Sequence, residues 1–290
     1  MRTEGNNRVS EQGFTVDQID TSRPHPARMY DYYLDGWDNY EVDRQAAERV
    51  IEAHPQVRLS ARANRAFLRR AVREVVGGGI RQIIDVGTGI PTSPNTHEVA
   101  REVAPDVKVA YVDNDPIVAT HAGAKLTNAG DAGFALGDVR DPAAILADPV
   151  VRTLIDFDRP VALLLVAVLH FVKDEEDPAG IVAAFAEALP SGSCLVLSHA
   201  TGEPYEAYEA GRTDEVARDG VLDVYKNATA TLNLRGRAEI APLFGAFTLL
   251  DPGLVRVPLW RPDGPVPGAE ELSNTIFYGG VGRLGQRRKP

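Results

Sequence analysis

The chain predicts an α/β fold: a doubly wound, mostly parallel sheet with helices on both faces, preceded by a helical cap. Three observations carry this. Strand-like and helix-like patterns alternate from about residue 80 to residue 200. Several strand-like segments are continuous apolar runs, as expected of strands covered on both faces. A glycine turn, Asp85-Val86-Gly87-Thr88-Gly89, follows the first apolar segment directly, and the carboxyl ends of parallel strands are where such sheets hold ligands.

Taken in order, residues 1–22 are polar, with no apolar stretch that would make a leader or membrane anchor, and read as a tail. Residues 27–53 read as helical. A second helix over 57–76 follows from the helical spacing of Leu59, Ala63, Phe67, Leu68, Ala71 and Val75, and Gly77-Gly78-Gly79 ends it. Residues 23–78 thus form a cap and first helix. The core, 79–283, has strands expected at 81–86, 107–112, 133–137, 161–168 and 194–199. Helices are expected at 95–104, 116–129, 141–149 and 178–189, joined by right-handed crossovers. A polar helical insertion over about 203–230 and a helix at 235–244 come next. Two strands, 247–260 and 275–283, then make an antiparallel hairpin at the sheet edge, and 284–290 is a basic tail.

The bulk composition narrows the function. The chain has 290 residues, is 44% hydrophobic and carries a formal net charge of −10. That charge disfavours nucleic acid and anionic membranes as partners. The longest apolar run, Val161 to Val172, is too short to span a bilayer. One cysteine, Cys194, excludes a disulfide framework and reads as a small core residue. No CxxC or HExxH spacing supports a metal. A soluble, cytoplasmic protein is expected.

Ligand chemistry concentrates at three strand ends. Gly87 and Gly89 remove side chains where a ligand must approach, with Thr88 between them. A dinucleotide fingerprint needs a third glycine where this chain has Thr92, and Pro91 and Pro94 delay the helix that would hold a pyrophosphate. A phosphate-free adenosine ligand is therefore favoured, S-adenosylmethionine over NAD. Asp113, followed by Asn114, can accept both ribose hydroxyls. Asp115 reads as the N-cap of the next helix. Asp138, followed by Val139, lies where an adenine amino group would be capped. The helix over 57–76 must run opposite to the first strand, which puts Arg62, Asn64 and Arg65 near the ligand. Arg62 or Asn64 binds its carboxylate, or else they are an exposed arginine and an asparagine bonded to a loop. The crowded aromatics Tyr30, Tyr32, Tyr33, Trp37 and Tyr40 form either a lid over a small molecule, attractive to a sulfonium, or ordinary helix packing.

From Pro24 to Gly282 the chain resembles the S-adenosylmethionine-dependent methyltransferase family once catalogued as domain of unknown function 574. The runs that carry the resemblance include Ala27-Arg28-Met29-Tyr30-Asp31-Tyr32, Asp38-Asn39-Tyr40, Arg62 to Phe67, Ile80 to Pro91, Tyr111 to Pro116, Pro160 to Val172, Leu197-Ser198-His199-Ala200 and Trp260-Arg261-Pro262. The resemblance implies a class I methyltransferase fold of seven strands with the last antiparallel, and a cofactor lined by Asp85, Gly87, Asp113 and Asp138. Asp35-Gly36-Trp37-Asp38 departs from the family's pattern, on the substrate side. In this fold the fourth strand end faces the transferred methyl. His170, just after it, is then a candidate base or substrate ligand, and His199 at the fifth strand end a weaker one. Tyr205, Tyr208 and Tyr225 lie in the insertion that could close over substrate. The expected reaction is methyl transfer to O or N of a small molecule. The alternatives are a module that binds the cofactor or S-adenosylhomocysteine without turnover, and an NAD-dependent oxidoreductase.

Overall fold

Residues 20–126, 130–203 and 215–285 are described by a computed structural model. The apolar run before the glycine turn becomes the middle of the sheet. Strand β1 (Gln82–Val86) pairs in parallel with β2 (Lys108–Asp113) on one side and β4 (Ala162–Val166) on the other. Outward from these lie β3 (Ala132–Leu136) beside β2 and β5 (Cys194–Ala200) beside β4, also parallel. The chain thus leaves β1 first in one direction and later in the other. That switch point opens a crevice at the carboxyl ends of β1 and β4.

The seven-strand path is β3-β2-β1-β4-β5-β8-β6, with β8 (Phe277–Leu284) antiparallel to β5 and to β6 (Phe247–Leu249). The last strand is therefore inserted between β5 and β6 rather than added at the rim. Glycines make this possible: a Cβ on Gly279 would lie 2.8 Å from Val257 Cγ1, and one on Gly282 2.8 Å from Phe247 Cβ. The single strand expected over 247–260 is broken into β6, a two-residue β7 (Val255–Arg256) paired with β8, and a 3-10 turn at Val257–Leu259.

The helix expected over 27–53 is two, α1 (Pro26–Tyr33) and α2 (Glu41–Ala53). Between them Asp35 adopts a left-handed φ of 62°. The Asp31 carboxylate fills the space a Gly36 side chain would need and accepts hydrogen bonds from the Asp38 N–H (3.0 Å) and Asn39 Nδ2 (2.8 Å). The turn is wound on one buried carboxylate, which no apolar periodicity reveals. Helix α3 (Val57–Gly77) follows, then α4 (Thr96–Val103), α5 (Pro116–Leu126), α6 (Pro142–Ala147), α7 (Pro149–Leu154) and α8 (Pro178–Ala188). The break between α6 and α7 falls at Asp148, which caps Val150 and Val151. Of the insertion expected over 203–230, residues 204–214 lie outside the described residues; α9 (Glu215–Lys226) forms its later part. Short helices α10 (Arg237–Ile240) and α11 (Ala269–Ser273) complete the set.

Two apolar layers hold the sheet. Phe67, Val72 and Val75 of α3 join Ile83 and Val109 on one face. Phe185 and Val182 of α8 join Ile84, Leu163 and Leu195 on the other. The alternation of Ile83 and Ile84 is the pleat itself. Burying each such side chain contributes about 1.5–3 kcal/mol. Among the described residues, no helix is long and apolar enough to cross a membrane, and no group of three His, Cys, Asp or Glu could hold a metal.

Candidate active site

A cavity of about 410 Å³ lies at the carboxyl ends of β1 to β5 and is closed over by α1, α2, α3 and α9. The turn after β1 forms its floor. Gly87 has φ 71°, and a Cβ there would fall 2.6 Å from Val168 Cγ2. Its lack of a side chain lets the segment after β4 pack against it, and Gly87 also lines the cavity. Gly89 is different. It has φ 67°, and the nearest atom to an added Cβ is 3.9 Å away, so here the backbone is open to the cavity. Thr88 lines the cavity as well.

The Gly89 N–H donates to Asp113 Oδ2 at 2.8 Å, and the Asp115 N–H donates to Asp113 Oδ1 at 3.0 Å. Each carboxylate oxygen keeps a lone pair for a ligand hydroxyl. Burial pushes the Asp113 carboxyl up to about 6, against the pull of those N–H groups. Asp85 is also pushed up to about 6 by burial, although Thr96 donates to it at 2.6 Å and Arg65 lies near. The next helix starts only at Thr96, after the loop 91–95, so no helix end stands at the glycine turn to hold a pyrophosphate.

Asp138 does not line the cavity; Asn114, Gly137 and Val139 do. Its oxygens accept the Arg140 N–H (2.9 Å), Asn114 Nδ2 (3.1 Å) and Arg140 Nη1 (3.1 Å). Burial pushes its pKa up, but these bonds and the Arg140 charge outweigh burial and hold it below the usual carboxylate range. Asp138 thereby holds the Asn114 amide. Asp115 caps α5 by accepting the Ile117 N–H at 2.9 Å. It is also 3.2 Å from His25 Nδ1 and 3.5 Å from Arg28 Nε, and Arg28 is 3.5 Å from Asp43. This buried charge cluster ties the cap to the second strand end. Sequence reading missed it; an arginine on the apolar stripe of α1 was the available signal.

The second helix turns out differently from expectation. Arg62 is 53% exposed, pairs with Asp35 at 2.5 Å and does not line the cavity. Its spacing on α3 points it away from the sheet. Arg65, one turn on, does line it, with its guanidinium holding the Thr92 and Pro94 carbonyls. Asn64 is buried, lines the cavity and is bonded at both ends of its amide: Oδ1 accepts from Ser198 Oγ at 2.7 Å and Nδ2 donates to Tyr30 Oη at 3.1 Å. Tyr30 in turn donates to the Ala61 carbonyl at 3.0 Å. Ser198 Oγ also accepts the N–H of Ala167, whose φ of 58° is left-handed. That conformation costs a non-glycine residue about 1–2 kcal/mol. The network holds it so that the chain after β4 turns into the cavity.

Of the aromatics, Tyr30, Tyr33 and Tyr225 line the cavity, while Trp37 is 91% exposed and does not. Tyr205 and Tyr208 lie outside the described residues. His199 is buried away from the cavity. Its Nδ1–H donates to the Ala200 carbonyl (2.7 Å), Nε2 accepts from Arg235 Nη1 (2.9 Å), and burial pushes it down to about 4. It is a structural residue, not a base. His170 lines the cavity, in a 3-10 turn over Leu169–Phe171. Its Nδ1 accepts the Ala200 N–H at 3.2 Å, which leaves the ring proton on Nε2. Burial, with His199 and Arg235 beside it, holds the ring well below the ordinary histidine range. With its lone pair engaged and a second proton disfavoured, His170 is not equipped as a general base.

Comparison with known proteins decides what this site serves. The profile of the S-adenosyl methyltransferase family matches residues 12–285. The chain belongs to that family. A family 574 domain-of-unknown-function protein from Streptomyces avermitilis MA-4680 is 41% identical to this S-adenosyl methyltransferase, covers 92% of this chain and 99% of its own, and superposes with a TM-score of 0.84. A protein from Thermobifida fusca YX, described as a candidate methyltransferase, is 38% identical, covers 92% and 97%, and gives 0.82. No curated protein matches the chain. The cofactor of this methyltransferase is S-adenosylmethionine, and the residues fit it: an open glycine turn without a phosphate cradle, beside a buried carboxylate with lone pairs to spare.

Proposed function

We propose that this methyltransferase acts on an oxygen or nitrogen atom of a small, largely apolar molecule. The observation that carries the reading is one continuous cavity with two unlike walls. The strand-end wall presents Asp85, Asp113 and Asp115, whereas the helical wall, joined by Phe277 of β8, carries Arg28, Asp31 and Arg65 at its edge and is otherwise mostly apolar, with Tyr33, Val57, Leu68 and Val221. Asp113 is positioned to accept the ribose hydroxyls, the Gly89 backbone to lie against the amino-acid chain, and Asn114 and Val139 to flank the base. When bound, S-adenosylmethionine supplies an electrophilic methyl on a sulfonium. The helical wall then holds the acceptor about 3 Å from it and in line, which by itself supplies much of the acceleration. The net charge of −10 disfavours nucleic acid as the acceptor.

A second reading, cofactor binding without turnover, draws on the engagement of His170 Nδ1, which leaves that ring no free lone pair to take a proton. Incubation with methyl-labelled S-adenosylmethionine and cell extract separates the two. Label in a small-molecule fraction supports transfer; tight binding with no labelled product supports the second reading. Calorimetric titration should show binding of S-adenosylmethionine and S-adenosylhomocysteine and none of NAD. Binding of NAD alone would overturn both.

A further inference from the structure

We propose that the methyl acceptor is an oxyanion on an apolar ring, a phenolate or enolate, held by the Nε2–H of His170. This rests on the methyl-transfer reading above and adds the class of acceptor and the group that recognises it.

The tautomer is set by the backbone. Because the Ala200 N–H points at Nδ1, the proton of the neutral ring must sit on Nε2. Among the described residues Nε2 has no hydrogen-bond partner, and the ring lines the cavity just beyond β4. A donor placed there without a protein acceptor is waiting for a ligand's lone pair. A ring turned to offer a different edge would give up the Ala200 hydrogen bond. Phe171 stands against it at 4.4 Å, His199 at 5.5 Å and Phe277 at 5.9 Å between ring centres.

The groups packed around His170 keep it neutral and favour negative charge nearby. From β5 comes His199, whose Nε2 accepts from Arg235. The chain after α9 brings Arg235, which also donates to the Leu169 and Val172 carbonyls and pairs with Asp174 at 2.6 Å. The same chain brings Asn233, whose N–H donates to the His170 carbonyl at 2.7 Å. From β8 comes Phe277. Among the described residues no carboxylate bonds to the ring, so none of them draws a second proton onto it. A neutral imidazole fixed as a donor stabilises a bound oxyanion instead of generating it.

The rest of the wall selects a ring. Phe171 lies between His170 and Tyr225, with its ring centre 5.8 Å from that of Tyr225, and Val221, Leu68 and Val57 complete an apolar surface. A flat hydroxylated ring would bury its faces there with its oxygen at His170. The acceptor O–H gives its proton to water before transfer. The oxyanion lone pair then forms the O–CH₃ bond as the S–CH₃ bond breaks. The pair from that bond goes to sulfur, giving neutral S-adenosylhomocysteine. No protein base is required.

The test uses the full-length protein saturated with S-adenosylhomocysteine and 4-nitrophenol as probe, whose anion is read by its visible absorption. Binding should raise the probe's apparent ionisation constant about tenfold, the effect of a hydrogen bond that favours the charged form. His170→Gln keeps a side-chain N–H donor but cannot act as a base, so it should retain part of that shift and transfer methyl within about tenfold of the parent. His170→Leu should abolish the shift and lower transfer by about 10²-fold, as loss of one oxyanion donor does elsewhere. Thermal unfolding and S-adenosylhomocysteine affinity of each variant show whether it is folded. A probe bound only as the neutral phenol, no binding of the probe, or a Gln variant as inactive as the Leu variant would each overturn the proposal. Loss of S-adenosylhomocysteine binding by the parent protein would instead overturn the methyl-transfer reading.

Discussion

The two walls of the cavity are built by opposite means. The strand-end wall comes from short local runs, residues 85–90 and 113–116, whose polar atoms bond to one another within and across neighbouring strands. The helical wall gathers Tyr33 from α1, Leu68 from α3, Tyr225 from α9 and Phe277 from β8, far apart in the chain and mostly apolar. The first wall recognises by placed hydrogen bonds, the second by shape. A local wall can be damaged one residue at a time, whereas a gathered wall fails when the links between its elements fail.

That contrast can be broken at several points. Gly87→Ala should do most harm. The left-handed φ costs about 1–2 kcal/mol and the collision with Val168 adds about 1–3 kcal/mol of overpacking. A chemical denaturation curve should show a loss near that sum, and Gly89→Ala only the first part, because no atom stands within 3.9 Å of its Cβ. Equal losses would dissolve the distinction between the two glycines. Asp113→Ala should weaken S-adenosylhomocysteine binding by about 1.5–3 kcal/mol, the worth of hydrogen bonds to a charged group, as read by calorimetry. Unchanged affinity would remove Asp113 from the site.

Asn64→Ala tests a link between elements. Ser198 and Tyr30 would lose a shared partner inside the protein, which costs about 1–3 kcal/mol of stability. Cofactor affinity should move less than the melting temperature does. The pH dependence comes next. Asp113, raised to about 6, accepts ribose hydroxyls more strongly when ionised, so affinity should fall as pH drops below about 6. The stability of the free protein should move the other way. Asp85 and Asp113 hold protons in the folded form at pH values where the unfolded chain has lost them. Their contribution to stability is therefore largest near pH 4 and is lost as pH rises through about 6. Melting temperatures of the free and cofactor-loaded protein across pH 5–7.5 should therefore diverge; parallel curves would remove Asp113 as the titrating group. The smallest effect is expected of Arg62→Ala. Its exposed pairing with Asp35 is worth at most about 1 kcal/mol, and cofactor affinity should not change.

What could be read from the residues follows the same division. The parallel strands and the glycine turn that follows the first of them are consequences of local chemistry and are present in the structure, with Asp113 beside that turn. Spacing separates Arg62 from Asn64, since Asn64 shares the apolar stripe with Leu68 and Ala71 and Arg62 does not, but the partners Asn64 finds there come from β5 and α1. Asp138 looked like a third ligand group because it ends a strand. Arg140, two residues on, claims its carboxylate, a contact that depends on how the loop folds back. Trp37 looked like a lid aromatic, but the turn wound on Asp31 carries it outward.

By itself, the sequence determined that a parallel sheet ends in a glycine turn and carboxylates suited to an adenosine without phosphates, because backbone conformation and strand polarity act over a few residues. Only the tertiary structure decided the state of the two histidines. Both follow strand ends and both are plausible proton acceptors on paper. The Ala200 N–H takes the lone pair of one, Arg235 takes that of the other, and burial keeps both rings neutral. A tautomer is set by the partners that folding brings within 3 Å or so, and those partners come from β5 and from the chain after α9.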